Sequence, residues 1–369
     1  MVRSAELRLR GRSLPMVGPA RIYVCGITPY DVTHLGHAAT FIWADLAAAV
    51  LRMAGVEVVT CRNVTDVDDV LTDAASARGR AYDEFALYQE YLFEKDMTTL
   101  RVHRPAHEPR ARHHIRHVQQ LAAALLATGH AYQREGHVYF RGAGALGRSG
   151  LSPERARELS AEYGDEPEDA LRDDPFDVPV WRPSSKDQPA WPSPWGPGRP
   201  GWHAECAAMA TAVLGRGVDL LAGGADLSFP HHAYQAAMAE AGSGVAPFAR
   251  AHLHVGTVYQ DGAKMAKSTG NLTLVADLLR EYPPAAVRLL ILHRRWHESW
   301  TYRPEELDTA AAGLERLYTA AGRPDATPAA VAEVTAALLD DLDVPRAVAV
   351  ASEAGGEAAR LLLRVLALA

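Results

Sequence analysis

YVCGITPYDVTHLGHAAT, residues 23–40, is the run on which the fold turns. Ile22 to Val24 is apolar and reads as the end of a buried strand. Gly26 and Pro29 then break the regular pattern. From Ala38 to Met53 the apolar residues recur at helical spacing. Cys25, Thr28, His34, Gly36 and His37 therefore fall on a strand-to-helix turn. In a parallel α/β sheet such turns lie at the carboxyl end of the strand, where ligands bind. The backbone N–H groups at a helix start favour an anion, and Gly36 lets a flat ligand come close.

Moving outward, Val56 to Cys61 is a β-branched run and reads as a second strand. It delivers Asn63, Thr65, Asp66, Asp68 and Asp69 beside the first turn. Asp68 and Asp69 suit helix capping and a solvated face at least as well as a cation. Residues 72–127 are helical by pattern, with breaks at Arg104-Pro105 and Glu108-Pro109. The Arg- and His-rich run 101–117 suits a solvated helix face better than a polyanion patch. AYQREGHVYF (131–140) reads as a hairpin, and 141–175 as a loop-rich insertion. Short strands are expected at Val218–Ala222 and His254–Tyr259. Residues 1–20 read as an edge segment or loop, and the chain after Thr273 as helical.

Composition narrows the function. The chain has 369 residues, a net charge of −7 and no long apolar run. We expect two domains or more and no membrane span. The first residues lack a secretory apolar core, and we expect a cytoplasmic monomer. Cys25, Cys61 and Cys206 are too few and too scattered for a disulfide framework. Of 38 basic residues only Lys95, Lys186, Lys264 and Lys267 are lysine, and two of them fall in GAKMAKSTGN (262–271). A compact, mobile ammonium is a different tool from a guanidinium.

The motifs resemble a known family. His34-Leu35-Gly36-His37 matches the His-Ile-Gly-His signature of class I aminoacyl-tRNA synthetases. The wider CGITPYDVTHLGHAAT is similar to their cysteine-specific branch, nearest in wording to the cysteine ligases of mycothiol synthesis. The resemblance runs from about Tyr23 to the C-terminus. It implies an α/β fold: a Rossmann-type catalytic domain with a parallel sheet, an insertion and a C-terminal helical bundle. The expected divisions are 1–105 and 177–260 for the two catalytic halves, 106–176 for the connecting insertion, 261–303 for a lysine loop with its following helices, and 304–369 for the bundle.

The same resemblance implies a chemistry. CGITPYD, GWHAEC and FPHH match zinc-ligand segments, which assigns Cys25, Cys206 and His231 to one Zn2+. From spacing alone, two buried thiols and a helix-capping histidine would be the simpler account. The tRNA synthetases usually add a Glu four residues after the ligating His. Here that residue is Gln235, and the mycothiol branch also lacks the Glu. His34, His37, Lys264 and Lys267 would act on the phosphates of ATP, which arrives with Mg2+. Ala266 replaces the first Ser of the family's Lys-Met-Ser-Lys-Ser. Gly26, Thr28, Gly36, Thr40, Asn63, Val64, Thr65, Gly224, Ala225, Asp226 and Val258 would bind ATP or the adenylate, with ribose or the substrate amine as alternatives for Asp226. Cys25, Thr28 and Trp202 would bind the substrate cysteine.

The implied reaction is cysteine plus ATP giving zinc-bound cysteinyl-AMP, then transfer to an amine. The amine is glucosaminyl-inositol in the mycothiol branch, or another amine in a specialised-metabolite pathway. Charging of tRNA is the alternative. It is disfavoured by residues 305–369, which hold 11 acidic and 5 basic residues and make a poor surface for a polyanion. A further departure lies at 162–167. The mycothiol branch often carries Glu-Arg-Gly-Gly-Asp-Pro there, and this chain has Glu162-Tyr163-Gly164-Asp165-Glu166-Pro167.

Overall fold

The computed structural model of the chain describes residues 6–30, 32–186, 188–265, 270–324 and 327–369. The first of these, expected as an edge segment or loop, form a hairpin of β1 (Leu7–Leu9) and β2 (Arg12–Leu14). Leu7, Leu9 and Leu14 are buried beneath it.

The strand-to-helix reading of the opening run holds. β3 (Ala20–Ile27) leads through the His34 turn into α1 (Leu35–Met53), and β4 (Val58–Val64) returns parallel to β3. Next come α2 (Asp69–Ala77), α3 (Tyr82–Thr99) and α4 (Ile115–Ala127). Asp68 caps α2 through the Val70 N–H, and Asp69 pairs with Arg199 and Arg182. Capping and ion pairing, not a cation, account for both. In the basic run 101–117, Arg104 meets Glu108, Arg110 meets Glu90, and Arg112 meets Asp66 and Asp83. Much of its charge is thereby neutralised.

A second, antiparallel sheet joins β5 (Ala131–Arg134), β6 (His137–Phe140), β7 (Val178–Pro183) and β8 (Gly198–Pro200) in that order. It runs across the division expected at 176/177. Between β6 and β7, where loops were expected, lie α5 (Ala143–Ser149) and α6 (Pro153–Glu162). The Ser152 hydroxyl accepts from the Arg155 N–H and Pro153 opens the first turn, so α6 begins on a strong local signal.

The chain then adds α7 (Trp202–Leu214), β9 (Val218–Gly224), α8 (Ala233–Ser243) and β10 (Ala249–Val255). The central sheet is fully parallel, in the order β10-β9-β3-β4. Its winding reverses between β3 and β9, so their carboxyl ends flank a topological switch point. The strand expected over His254–Tyr259 is interrupted, because the Gly256 N–H leaves the sheet for the Trp296 carbonyl. β11 (Val258–Gln260) instead pairs with β12 (Ala263–Lys264) and β13 (Trp300–Thr301). Helices α9 (Val275–Glu281), α10 (Pro284–Leu292), α11 (Pro304–Ala321), α12 (Pro328–Leu339), α13 (Val344–Ala354) and α14 (Gly356–Val365) complete the fold. No helix among the described residues is long and apolar enough to cross a membrane.

Two cores lie on opposite faces of the central sheet. Along β3 the side chains alternate, as strands must. Ala20, Ile22 and Val24 join the core with α1 and the C-terminal helices. Tyr23 and Cys25 join the other, with α4, α7 and α8.

One polar knot ties α1 to the bundle. The fully buried Arg288 guanidinium donates to Asp45 Oδ2 at 3.1 Å and to the carbonyls of Leu100 at 2.8 Å and Leu366 at 2.9 Å. His103 Nδ1 sits 2.9 Å from Asp45 Oδ1. Burial opposes ionisation of Asp45, but His103 and Arg288 outweigh it and lower its pKa. Arg288→Met leaves Asp45 short of its buried partner and is expected to cost roughly 3 kcal/mol in urea unfolding. The hydrogen bond to Asp45 raises the pKa of His103. Its contribution is therefore full below the unfolded pKa of about 6.5 and is lost as pH rises through the folded value. The side chain is 62% exposed, so the effect is small, about 0.5 kcal/mol. His103→Gln should lower stability by that amount near pH 5.5 and leave it unchanged near pH 8.5.

Candidate active site

The turn after β3 is built around its own histidine. His34 Nδ1 accepts from the Gly36 N–H at 3.1 Å and so caps α1. That leaves the ring proton on Nε2. A Cβ at Gly36 would lie 3.0 Å from the His34 ring, so a larger residue would push the cap aside. The His37 ring stacks on His34 with centroids 3.8 Å apart. It is open to the cavity yet crowded by protein, and this burial lowers its pKa to about 4 against the pull of Asp226. Near pH 7 it is a neutral hydrogen-bonding group.

The ends of β3 and β4 are locked together. The Gly26 N–H donates to Asn63 Oδ1 at 2.9 Å, and a Cβ at Gly26 would collide with the Asn63 carbonyl. The hydroxyls of Thr28 and Thr65 lie 2.9 Å apart. These residues, with Thr40, line a cavity of about 920 Å³. Val64 and Ala225 lie outside its wall, while their neighbours Asn63, Thr65, Gly224 and Asp226 belong to it.

Deeper in the cavity, Cys25, Cys206 and His231 bring their ligand atoms within 4.8 Å of one another, all three buried. They come from β3, α7 and the turn before α8, which share the same face of the sheet. Burial pushes the Cys25 thiol well up. Burial also opposes ionisation of Cys206, but the hydrogen bond from Cys25 and the nearby His231 outweigh it and hold that thiol well down. His203 Nδ1 lies 3.0 Å from His231 Nδ1, which leaves His231 Nε2 for a metal. The donor set suits zinc and keeps one position open. Trp202 stacks on His231 at 4.1 Å. Cys61, also buried, belongs to the strand core, as its place in β4 implied.

The opposite wall carries the lysine hairpin. Asp261 and Gly262 both have positive φ and form the tight turn between β11 and β12. That turn presents Lys264, whose Nζ is 2.6 Å from Asp226 Oδ2. Burial opposes ionisation of Asp226, but Lys264 and Tyr163 outweigh it and keep its pKa low. Val258 packs against the start of α1, 4.0 Å from where a Gly36 Cβ would stand. Lys267, expected beside Lys264, lies outside the described residues.

The family model for the class I (C) tRNA synthetase catalytic domain matches residues 16–312. Curated relatives carry the name L-cysteine:1D-myo-inositol 2-amino-2-deoxy-alpha-D-glucopyranoside ligase. That of Streptosporangium roseum is 42% identical, over 94% of this chain and 88% of its own length. That of Streptomyces griseus subsp. griseus is 44% identical, over 90% and 83%. The chain belongs to this class I synthetase-like ligase family. Solved structures agree on the fold. Mycobacterium tuberculosis methionyl-tRNA synthetase with methionyl-adenylate superposes with a TM-score of 0.64 at 17% identity, covering 95% of this chain and 82% of that one. The Agrobacterium radiobacter K84 agnB2 LeuRS in its ternary complex gives 0.65 at 12%, covering 96% and 84%.

Four side chains of this family member were not assigned a contact from sequence. His203 sits inside the quoted GWHAEC motif, directly after Trp202 and three residues before Cys206, and only the fold brings it to His231. Glu205 is fully buried with neither carboxyl oxygen partnered among the described residues, and burial raises its pKa well above the usual carboxylate range. Gln235 places Oε1 3.5 Å from Cys25 Sγ. Tyr163 enters from the inserted segment and reaches Asp226. If the triad is a metal site, Cys25→Ser, Cys206→Ser and His231→Asn should each cut the zinc content of the purified protein at least about tenfold. Cys61→Ala should leave it unchanged, as read by elemental analysis.

Proposed function

We propose that the chain joins cysteine to the amino group of glucosaminyl-inositol at the expense of ATP. The observation that carries this reading is one cavity shared by a soft-metal donor set and an anion-favouring helix start. The relatives' printed names, which combine cysteine with an amino-sugar glycoside of inositol, support the choice of acceptor. The acidic C-terminal segment and the paired arginines of 101–117 favour a small acceptor over tRNA.

In the first step a carboxylate oxygen of cysteine attacks the α-phosphorus of ATP. The bond to the bridging oxygen breaks and pyrophosphate leaves. Negative charge grows on the phosphates, so fixed donors contribute most there. The N–H groups at the start of α1, His34 Nε2–H and the neutral His37 ring serve from one side. Lys264 serves from the hairpin side once it leaves Asp226, and the family motif gives Lys267 the same task. Asn63, Thr65 and Gly224 with Asp226 hold the nucleotide, and Thr28 with Trp202 holds the amino acid. A zinc ion on Cys25, Cys206 and His231 would supply a soft Lewis acid for the substrate thiol, to which the hydroxyl of serine is poorly suited. In the second step the neutral amine attacks the carbonyl carbon, AMP leaves, and the nitrogen gives up a proton to form the amide.

ATP–pyrophosphate exchange tests the first half. Exchange should depend on cysteine, with serine supporting roughly a hundredth of the rate or less. Lys264→Ala should lower it about a hundredfold. Equal exchange with serine would defeat the thiol-selecting pocket. AMP release with glucosaminyl-inositol tests the second half, and release only with a different amine or with tRNA would reassign the acceptor.

A further inference from the structure

The inserted segment between β6 and β7 lines the cavity with residues 161–165, and Tyr163 reaches furthest across it, to Asp226. Tyr163 closes the C-terminal end of α6. Its hydroxyl donates to Asp226 Oδ2 at 3.0 Å, the same oxygen that Lys264 Nζ approaches at 2.6 Å. Lys264 Nζ lies 3.5 Å from the Tyr163 hydroxyl itself. The ring of Tyr163 stacks on Trp202 with centroids 5.8 Å apart at 24°, and Trp202 stacks in turn on His231 at 4.1 Å and 25°. One side chain thus spans the nucleotide wall and the amino-acid wall.

We propose that Tyr163 is a positioning residue that couples the two walls, its hydroxyl holding Asp226 and its ring holding Trp202. The two contacts do different work. When Lys264 turns to the phosphates, Asp226 loses a cationic partner in a partly desolvated place. The Tyr163 hydroxyl keeps that carboxylate bonded and aimed, which lowers the cost of releasing the lysine. Without it, Asp226 holds Lys264 more tightly and the phosphates lose a donor. The ring acts on the other substrate. It fixes the Trp202 indole, and an offset stack of two rings restrains both. α6 supplies the rigidity: the Ser152 cap fixes its first turn, and the buried Ala156 and Ser160 seat its face, Ser160 within one turn of Tyr163.

This inference rests on the proposed cysteine-activating reaction, and two variants separate its parts. Tyr163→Phe keeps the ring and removes the hydroxyl. Its exchange rate at saturating substrates should fall about tenfold, with the KM for cysteine within twofold of wild type. Tyr163→Ala removes both. It should show the same fall and, in addition, a KM for cysteine raised roughly five- to tenfold. Both variants should keep wild-type zinc content and melting temperature. Tyr163→Ala kinetics within twofold of wild type would overturn the proposal. So would Tyr163→Phe changing the KM for cysteine as much as Tyr163→Ala, or both effects appearing only as lost stability. Calorimetric titration of each variant with ATP alone and with cysteine alone reads the same split without turnover. Absence of exchange in the wild-type protein would therefore count against the reaction, while unchanged ligand affinities in Tyr163→Ala would count against the coupling.

Discussion

Everything at this site depends on the alternation of side chains along β3. A strand sends successive residues to opposite faces. Ile22 and Val24 fill the core under α1, and Tyr23 and Cys25 fill the one under α7 and α8. Shifting the register by one residue would bury Cys25 among the aliphatic side chains of the bundle, 180-odd residues of intervening chain notwithstanding, and no triad could form. With the register as it is, Cys25 meets Cys206 and His231 in the wall of the cavity. A metal ion bound there, as proposed, would be met by all three donor atoms at once.

The site divides into a rigid half and an adjustable half. The rigid half is the switch point, where Gly26, Asn63, Thr28 and Thr65 stitch two strand ends together. The capped start of α1 belongs to it, and the Arg288–Asp45 knot fastens the rest of that helix to the bundle. A donor array that must meet developing charge works best when it does not have to reorganise. The adjustable half is made of side chains hung on shorter elements, Lys264 on a two-stranded hairpin and Tyr163 at a helix end. They hold each other through Asp226, so a nucleotide bound as proposed would have to exchange one set of contacts for another.

What could be read from the chain follows the same division. The strand ends and the His34 turn were legible because local pattern fixes them: an apolar run, a break, then helical spacing. The lysine segment stood out through the contrast with an arginine-rich chain, but it read as a loop, and its hairpin of β11 and β12 did not show. The meeting of Cys25, Cys206 and His231 was not visible in spacing, since no two of them are near in sequence, and came only through resemblance. The inserted region was read least well. Its helices α5 and α6 are short and polar, and half of its sheet lies beyond the division expected at 176/177. Tyr163 looked like the loss of a cation. Its hydroxyl and ring gain their meaning only from Asp226 and Trp202, which lie about 40 to 60 residues away along the chain. For the aspartates after β4, capping stood level with a cation in the sequence, and the structure shows Asp68 as a cap and Asp69 as an ion-pair partner.

Gln235 puts a neutral side chain beside the donor set, and in the proposed zinc site that neutrality would matter. Its amide oxygen lies 3.5 Å from the Cys25 sulfur, and its amide nitrogen is buried without a partner among the described residues. A glutamate there would add a negative charge to a pocket that already holds two thiol groups, and would deter a third, incoming thiolate. A divalent zinc ion facing two thiolates and one imidazole carries a net charge near zero, and a neutral amide leaves it so. The ion then retains attraction for one more soft anion. The amide adds bulk that closes the pocket without competing as a ligand of equal strength. With zinc on the triad, as proposed, selection of a thiol over a hydroxyl would depend as much on the charge kept away from Cys25 as on the three side chains that gather around it.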